Sequence, residues 1–341
     1  YVFVQLTAFL NRTQFNNYVR KYDGNRYVKH FTCWNQLLAM MFGQLSYRES
    51  LRDLIVALEA HRATQYHLGL GRNTIVKATL AYANQTRDYR IFEDFAFYMM
   101  KEACEKRETN ILNIPGKKYA FDSTTIPLCL ATFPWAKFRS KKGGVKAHVL
   151  YDVEAQVPAF YTVTTASKHD STAMSSITYE PNSYYIFDRA YDTFKELYKI
   201  HLTGSYYVVR AKTNLKYKTV KWKRRMPKNV LTDAEVKLTG YLSEKKYPES
   251  FRLIRYYDEE DEREFTFLTN AKHLSALDVA NLYKKRWLVE LFFKWLKQHL
   301  KIKRFWGTTE NAVRIQISVA IITYCLVAIV HHRYAIETLD I

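Results

Sequence analysis

The segment from Ala276 to Ile302 constrains this chain more than any other. Trp287, Leu288, Val289, Leu291, Phe292, Trp295 and Leu296 leave almost no polar side on a helix of this sequence. A helix that is apolar nearly all round must be buried. At about 100° per residue, Tyr283, Arg286, Glu290 and Lys297 share the remaining stripe, roughly 60° wide over about four turns. A lone acid on such a stripe is committed to something. Spacing alone leaves two readings open. One is an i,i+4 ion pair, Arg286 with Glu290, inside a structural helix. The other is a carboxylate kept for chemistry.

Upstream, residues 1–112 read as a helical, basic region. Trp34, Leu37, Leu38, Met41 and Phe42 recur at helical spacing. Ser46 and Glu49 have capping-box spacing ahead of Leu51, Leu54, Ile55 and Leu58, and Asn73 or Thr74 is placed to cap a helix through Leu80 and Ala83. Short helices carrying Arg87, Arg90, Lys101, Lys106 and Arg107 suit a small DNA-reading domain and an ordinary helical bundle equally.

From 113 to 212 the pattern turns to strands. Lys118–Ile126, Lys146–Val153 and Ala159–Thr165 read as a meander, with the polar stretch Ser167–Ser171 placed to cap a helix. Tyr184–Asp188 is a strand, Thr193–Leu202 a helix and Ser205–Ala211 a strand. This order is that of a ribonuclease-H-like core: an α/β fold with a mixed five-stranded sheet. Residues 213–263 read as a β-rich insertion with strands at Val236–Leu242 and Phe251–Tyr257, and 264–341 return to the core with Glu264–Thr269 and the helices Ala276–Ile302 and Ala312–Val330. The run Ile315–Val330 holds Gln316, Ser318 and Thr323, so a buried helix is expected rather than a membrane span.

Two acids stand where acids are costly. Asp122 sits inside an apolar strand and Asp188 ends another, and a buried carboxylate must be paired, hydrogen-bonded or metal-bound. In the expected sheet their strands are neighbours, which puts both at one edge. Asp152 is read as a structural acid. The four cysteines are scattered, and His30, His148, His169, His299, His331 and His332 have no metal spacing with them.

The chain of 341 residues carries 52 basic and 33 acidic side chains, a net charge of +19, with 16% aromatic residues. That balance argues for a polyanionic partner. The surplus gathers in three runs: Lys137, Arg139, Lys141, Lys142, Lys146 and His148; Lys216, Lys218, Lys221, Lys223, Arg224, Arg225 and Lys228 around Trp222; and residues 284–304, where Lys and Arg surround the single acid Glu290. The third run favours phosphate contact over an internal salt-bridge network. No signal peptide is visible, so a cytoplasmic location is expected; the chain opens on Tyr1 rather than Met, so residues preceding it are expected.

The spacing Tyr283–x2–Arg286–x3–Glu290–x6–Lys297, set in LYKKRWLVELFFKWLKQHLKI, resembles the Y-R-E-K signature of insertion-sequence-4-type bacterial DDE transposases. Phe305, Gly307, Thr308, Glu310, Asn311, Ala312, Val313 and Gln316 resemble the segment after it. FDSTTI (Phe121–Ile126) resembles the first-Asp block, KGGVKAHVLYD (Lys142–Asp152) the basic strand that follows, and FDRAYDTF (Phe187–Phe194) the second-Asp block, with Ala190 where glycine is common. The likeness covers about residues 116–335.

The resemblance implies that Asp122, Asp188 and Glu290 are catalytic and bind metal, and that Tyr283, Arg286 and Lys297 hold phosphates. Three hard oxygen donors suit Mg²⁺, with Mn²⁺ as a substitute, and two such ions clamp a scissile phosphodiester. Lys142, Lys146, His148, Arg189, Trp222 and Lys294 are the further expected DNA contacts. The implied protein binds double-stranded DNA at terminal inverted repeats, cleaves the element ends and transfers their 3′-hydroxyls to target DNA. A dimer on paired ends is implied, with no nucleotide cofactor and no membrane. The alternatives are a catalytically idle DNA-binding protein derived from a transposase, and a resolvase-like nuclease of the same fold.

Overall fold

The computed structural model describes residues 2–107, 112–139, 142–168, 170–191, 193–300, 302 and 304–334. Lys141, His169, Asp192, Lys301 and Lys303 lie outside the described residues. The N-terminal region is helical: α1 (Val2–Thr7), α2 (Arg12–Lys21), α3 (Cys33–Leu45), α4 (Leu51–Ala60), α5 (Lys77–Thr86) and α6 (Arg90–Lys106). Thr32 and Asn35 form a capping box at the start of α3. The cap of α4 is Ser50, whose hydroxyl accepts from Asp53 N at 3.1 Å. The expected cap, Ser46, instead closes α3, donating to Phe42 O at 2.6 Å. Helix α5 starts behind Val76 with no side-chain cap, so neither Asn73 nor Thr74 serves.

The strands follow as β1 (Lys118–Leu128), β2 (Lys137–Arg139), β3 (Lys142–Asp152) and β4 (Val157–Thr165), then the short α7 (Asp170–Ala173), β5 (Tyr184–Phe187), α8 (Phe194–Leu202) and β6 (Tyr206–Arg210). Next come β7 (Tyr217–Trp222), β8 (Val230–Leu238), α9 (Tyr241–Lys246), β9 (Phe251–Asp258) and β10 (Arg263–Thr269). All belong to one ten-stranded sheet of order β2-β3-β1-β5-β6-β10-β9-β8-β7, with β4 also paired to β3. The five expected core strands are therefore part of a larger sheet, because β10 pairs with β6 and carries β9, β8 and β7 with it.

Strand alternation splits the core in two. Ala120, Ile186 and Val208 point to one face, against the N-terminal helices, and Phe121, Phe187 and Val209 to the other, against α8. Strands β1 and β5 are parallel neighbours in the register Phe121↔Phe187. Their entry is fixed by Gly116, where φ is +90° and a Cβ would fall 2.1 Å from Asn182 O.

The expected single helix 276–302 is two helices, α10 (Ala276–Lys284) and α11 (Trp287–His299). At the junction the ladder tightens to i→i−3 bonds: Arg286 N to Tyr283 O at 3.0 Å and Leu288 N to Lys285 O at 3.1 Å. This turns α11 out of phase with α10 and leaves Trp287 57% exposed rather than buried. The last helix, α12 (Glu310–Arg333), is long and apolar enough to cross a membrane by composition, yet 83% of its most apolar window is buried inside the protein.

A buried ion pair fastens the approach to α10. Arg252 on β9 donates to both Asp233 oxygens at 2.6 Å and to Leu274 O at 2.6 Å. Burial raises the Asp233 carboxyl, but Arg252 and Lys223 outweigh it and the net shift is downward. Its contribution is thus present above the ordinary carboxylate range and lost as pH falls through its lowered folded value. Asp233→Asn is expected to cost about 3–5 kcal/mol at pH 7, with the gap to wild type narrowing below about pH 4. Urea denaturation at both pH values checks this; equal stability at pH 7 would contradict it.

Candidate active site

Three chain segments bring three acids to the carboxyl-terminal edge of the β1–β5 pairing. Asp122 lies on β1, Asp188 directly follows β5 in the adjacent register, and Glu290 stands in the first turn of α11, which packs on β1. The guanidinium of Arg286 joins two of them: Nη1 donates to Asp122 Oδ2 at 3.0 Å and Nη2 to Glu290 Oε1 at 2.6 Å. Tyr283 donates its hydroxyl to Asp188 Oδ1 at 3.1 Å. The i,i+4 pair between Arg286 and Glu290 therefore exists, but it is half of a bridge that reaches the first strand.

The electrostatics are those of crowded carboxylates. Burial pushes the Asp122 carboxyl up to about 6; Ser123 N–H and Arg286 hold it down, while Glu290 and Asp188 push it further up. Arg286 is itself mostly buried, and its Nε has no hydrogen-bond partner. Burial, and then the Asp188 charge, push the Tyr283 hydroxyl up to about 12.

An all-oxygen donor set, with one carboxyl pushed up by burial and by two neighbouring acids, fits a hard divalent cation. Among the described residues, no three acidic, histidine or cysteine side chains are arranged around a common metal position. Arg286 supplies the positive charge between Asp122 and Glu290 instead.

The other expected contacts divide. Lys297 is half-buried on α11 and Lys294 exposed. Lys142 is exposed at the start of β3. Trp222 is 61% exposed at the end of edge strand β7. Arg189 follows Asp188, is half-buried and has an unpartnered Nε. Lys146 turns inward and donates to Asp170 Oδ1 at 3.0 Å. His148 is a correction: it is completely buried, its ring lies over Phe121 and its Nε2 meets Thr164 Oγ1 at 3.0 Å, so no DNA reaches it. Burial pushes its imidazole down to about 4. Asp152 is structural as expected, accepting from Glu154 N and Ala155 N in the turn after β3.

Sequence reasoning missed Asp170. Its Oδ1 accepts from Ser123 Oγ at 2.8 Å and from Lys146, so it anchors the residue beside Asp122. The signal was the polar stretch Ser167–Ser171, read only as a helix cap. Part of the basic run around Glu290 is also spent internally, with Lys284 on Asp258 and Glu260, and Arg304 on Glu49.

A family described as the transposase DDE domain matches residues 115–326, and a domain of unknown function, DUF4372, matches residues 1–71. The chain is 36% identical over 213 residues to y4zB of Sinorhizobium fredii, named as a transposase, covering 61% of this chain and 59% of that protein. It is 31% identical over 224 residues to the probable transposase for insertion sequence element IS5377 of Geobacillus stearothermophilus, covering 65% and 59%. It is 26% identical over 265 residues to the transposase named for element IS4SA of Synechocystis, covering 76% and 73%. The chain thus spans about 59% of the length of the first two relatives. A cryo-EM structure of the piggyBac transposase synaptic complex with hairpin DNA matches at 10% identity and a TM-score of 0.47, over 98% of this chain and 82% of that one.

The raised Asp122 carboxyl has a consequence for stability. Folded, it binds its proton more tightly than in the unfolded chain, where a value of about 3.9 applies. Its contribution is complete below that value and lost as pH rises through about 6. Asp122→Asn, which cannot ionise and keeps an acceptor for Ser123, is expected to be more stable than wild type by about 1–3 kcal/mol at pH 8 in chelator. The advantage should vanish by about pH 4. Urea midpoints at the two pH values test this, and a wild type more stable at pH 8 would refute it.

Proposed function

Because the chain belongs to the transposase DDE-domain family, we propose that it cuts and joins the ends of an insertion sequence, with Asp122, Asp188 and Glu290 as its catalytic carboxylates. One geometry carries this reading: a single guanidinium shared by Asp122 and Glu290, beside a tyrosine hydroxyl on Asp188. Acids from three distant segments are held together there with less positive charge than they can use.

Asp122, Asp188 and Glu290 would hold divalent metal, Mg²⁺ with Mn²⁺ as substitute, two ions per site. When bound, such ions acidify an attacking hydroxyl and neutralise charge on a scissile phosphodiester. The residues around them handle the DNA. Arg286 presents a planar fork that fits two carboxylates or one phosphate equally well. Tyr283, once off Asp188, donates to the same backbone. Lys297, Lys294 and Arg189 supply charge on either side, and exposed Lys142 and Trp222 extend the track along β3 and β7. Water attacks first and frees a 3′-hydroxyl at the element end. That hydroxyl then attacks target DNA. Both displacements are direct, so no nucleophilic Ser or Cys is needed.

We read β4-β3-β1-β5-β6 as a ribonuclease-H-like core within 113–212 and 264–341, with 213–263 inserted. Residues 1–112 are read as the part that engages the terminal inverted repeats. Joining two ends calls for two copies of the chain on paired DNA, in a cytoplasmic, nucleoid-associated complex.

A terminal-repeat duplex in Mn²⁺ tests the reading. Asp188→Ala and Glu290→Ala are each expected to lower strand cleavage at least about a hundredfold while duplex binding persists. Full cleavage by either variant overturns the assignment. Wild-type binding without nicking would mark an idle DNA-binding derivative, and cleavage without joined products a resolvase-like nuclease. Arg286→Lys keeps the charge but not the fork, and is expected to lose at least about tenfold in cleavage.

A further inference from the structure

The N-terminal region holds a cavity of about 610 Å³, bounded by the α2–α3 connection, the loop before α5, and α5 itself. That volume is within the range of small-ligand sites, about 300–1,000 Å³. Its most unusual wall is Arg87. This side chain is only 9% exposed. Its Nη1 donates to Gln36 Oε1 at 2.9 Å, its Nη2 donates to the Phe31 carbonyl, and its guanidinium lies 5.2 Å from the Phe31 ring centroid. Both acceptors are neutral. Among the described residues no carboxylate pairs with it, and burial pulls the guanidinium below its ordinary value. A buried cation without a counter-charge is costly, and a bound anion would relieve it.

The rest of the wall is mixed in sign, with an excess of positive charge. Arg26 and Lys29 face the cavity from the α2–α3 connection. Two acids line it as well. Asp88 is committed to Arg90, 2.6 Å away, which leaves Asp23 against Arg87, Arg26 and Lys29. The cavity also carries flat rings: Phe31 beside the guanidinium and Tyr82, which is 68% exposed. Asn73 adds an amide able to read a polar edge. Charge for a phosphate next to exposed aromatic faces is the pairing that holds single nucleotide units.

We propose that this cavity binds one nucleotide, its phosphate against Arg87, Arg26 and Lys29 and its base against Tyr82 and Phe31. The site is separate from the carboxylate edge and needs no metal. Its occupant is either a free mononucleotide or one nucleotide of a strand.

Calorimetric titration of the full chain with dAMP, in chelator, tests the proposal. One saturable site is expected, with deoxyadenosine and inorganic phosphate each binding at least about tenfold more weakly. Tyr82→Ala and Lys29→Gln alter exposed side chains that the fold does not need, and each should weaken dAMP at least about fivefold. Arg87→Gln should abolish binding, and circular dichroism would show whether that variant folds. Displacement of dAMP by a mixed-sequence single strand assigns the site to a strand nucleotide, and failure to displace it assigns the site to the free form. No heat with dAMP, phosphate binding as tightly as dAMP, or unchanged affinity in both exposed variants would overturn it.

Discussion

One guanidinium decides whether the sheet edge can exist. Parallel pairing of β1 and β5 brings Asp122 and Asp188 together, and the packing of α11 on β1 adds Glu290. Like charges a few ångströms apart repel by about 1 kcal/mol in water and by several times that near a protein surface. Arg286 offsets the repulsion with bonds of 3.0 and 2.6 Å, and Tyr283 satisfies Asp188 without adding charge. The i→i−3 turn at Lys285–Arg286 belongs to the same solution, because it sets the angle between α10, which holds Tyr283, and α11, which holds Glu290. A straight helix would fix the two residues in one phase, whatever β1 and β5 required.

This explains which parts were legible in the sequence. Asp122 and Asp188 stand out because each meets an apolar run, and local period-two patterns locate β1, β4, β5, β6 and β10 to within a few residues. The helix break is not legible: nothing between Leu282 and Leu288 is a helix breaker. The kink follows from contacts on the sheet. Ser46 and Ser50 are both chemically able to cap, and the turn through Tyr47 at φ 57° settles which one does. His148 shares a strand face with Lys146 and reads as part of a basic run. Asp170, at the start of α7 after β4, covers that face and turns Lys146 inward. A charge seen along a strand says little until the element that covers it is known.

The same distinction applies to the surplus of positive charge. Lys284, Arg304, Lys223 and Lys228 all have carboxylate partners from other elements. A count along residues 281–304 therefore overstates the cations free to meet phosphate near Glu290. Strand β7 is different. It is an edge strand, exposed over most of its length, with Lys218, Lys221 and Trp222 turned to solvent. Lysines there discourage pairing with another sheet, and they also make this edge a basic, aromatic surface.

The N-terminal helices are not a separate appendage to this machinery. Helix α12 packs against α6, α3 and α5 as well as β4, and the buried residues of both regions form one continuous core. Polar groups fix the junction. Asn311 donates to Asn84 O at 2.9 Å and Arg87 O at 2.7 Å, and accepts from Tyr89 N at 3.2 Å. Gln316 accepts from Trp306 N at 2.8 Å and donates to Arg304 O at 3.0 Å, while Gln44 Nε2 reaches its carbonyl at 3.1 Å. Buried amides satisfied on both sides have one good arrangement and lose it if either side moves. The segment after the acid-bearing helices therefore sets the position of Arg87, so the cavity in the N-terminal region and the carboxylate edge are held in one frame.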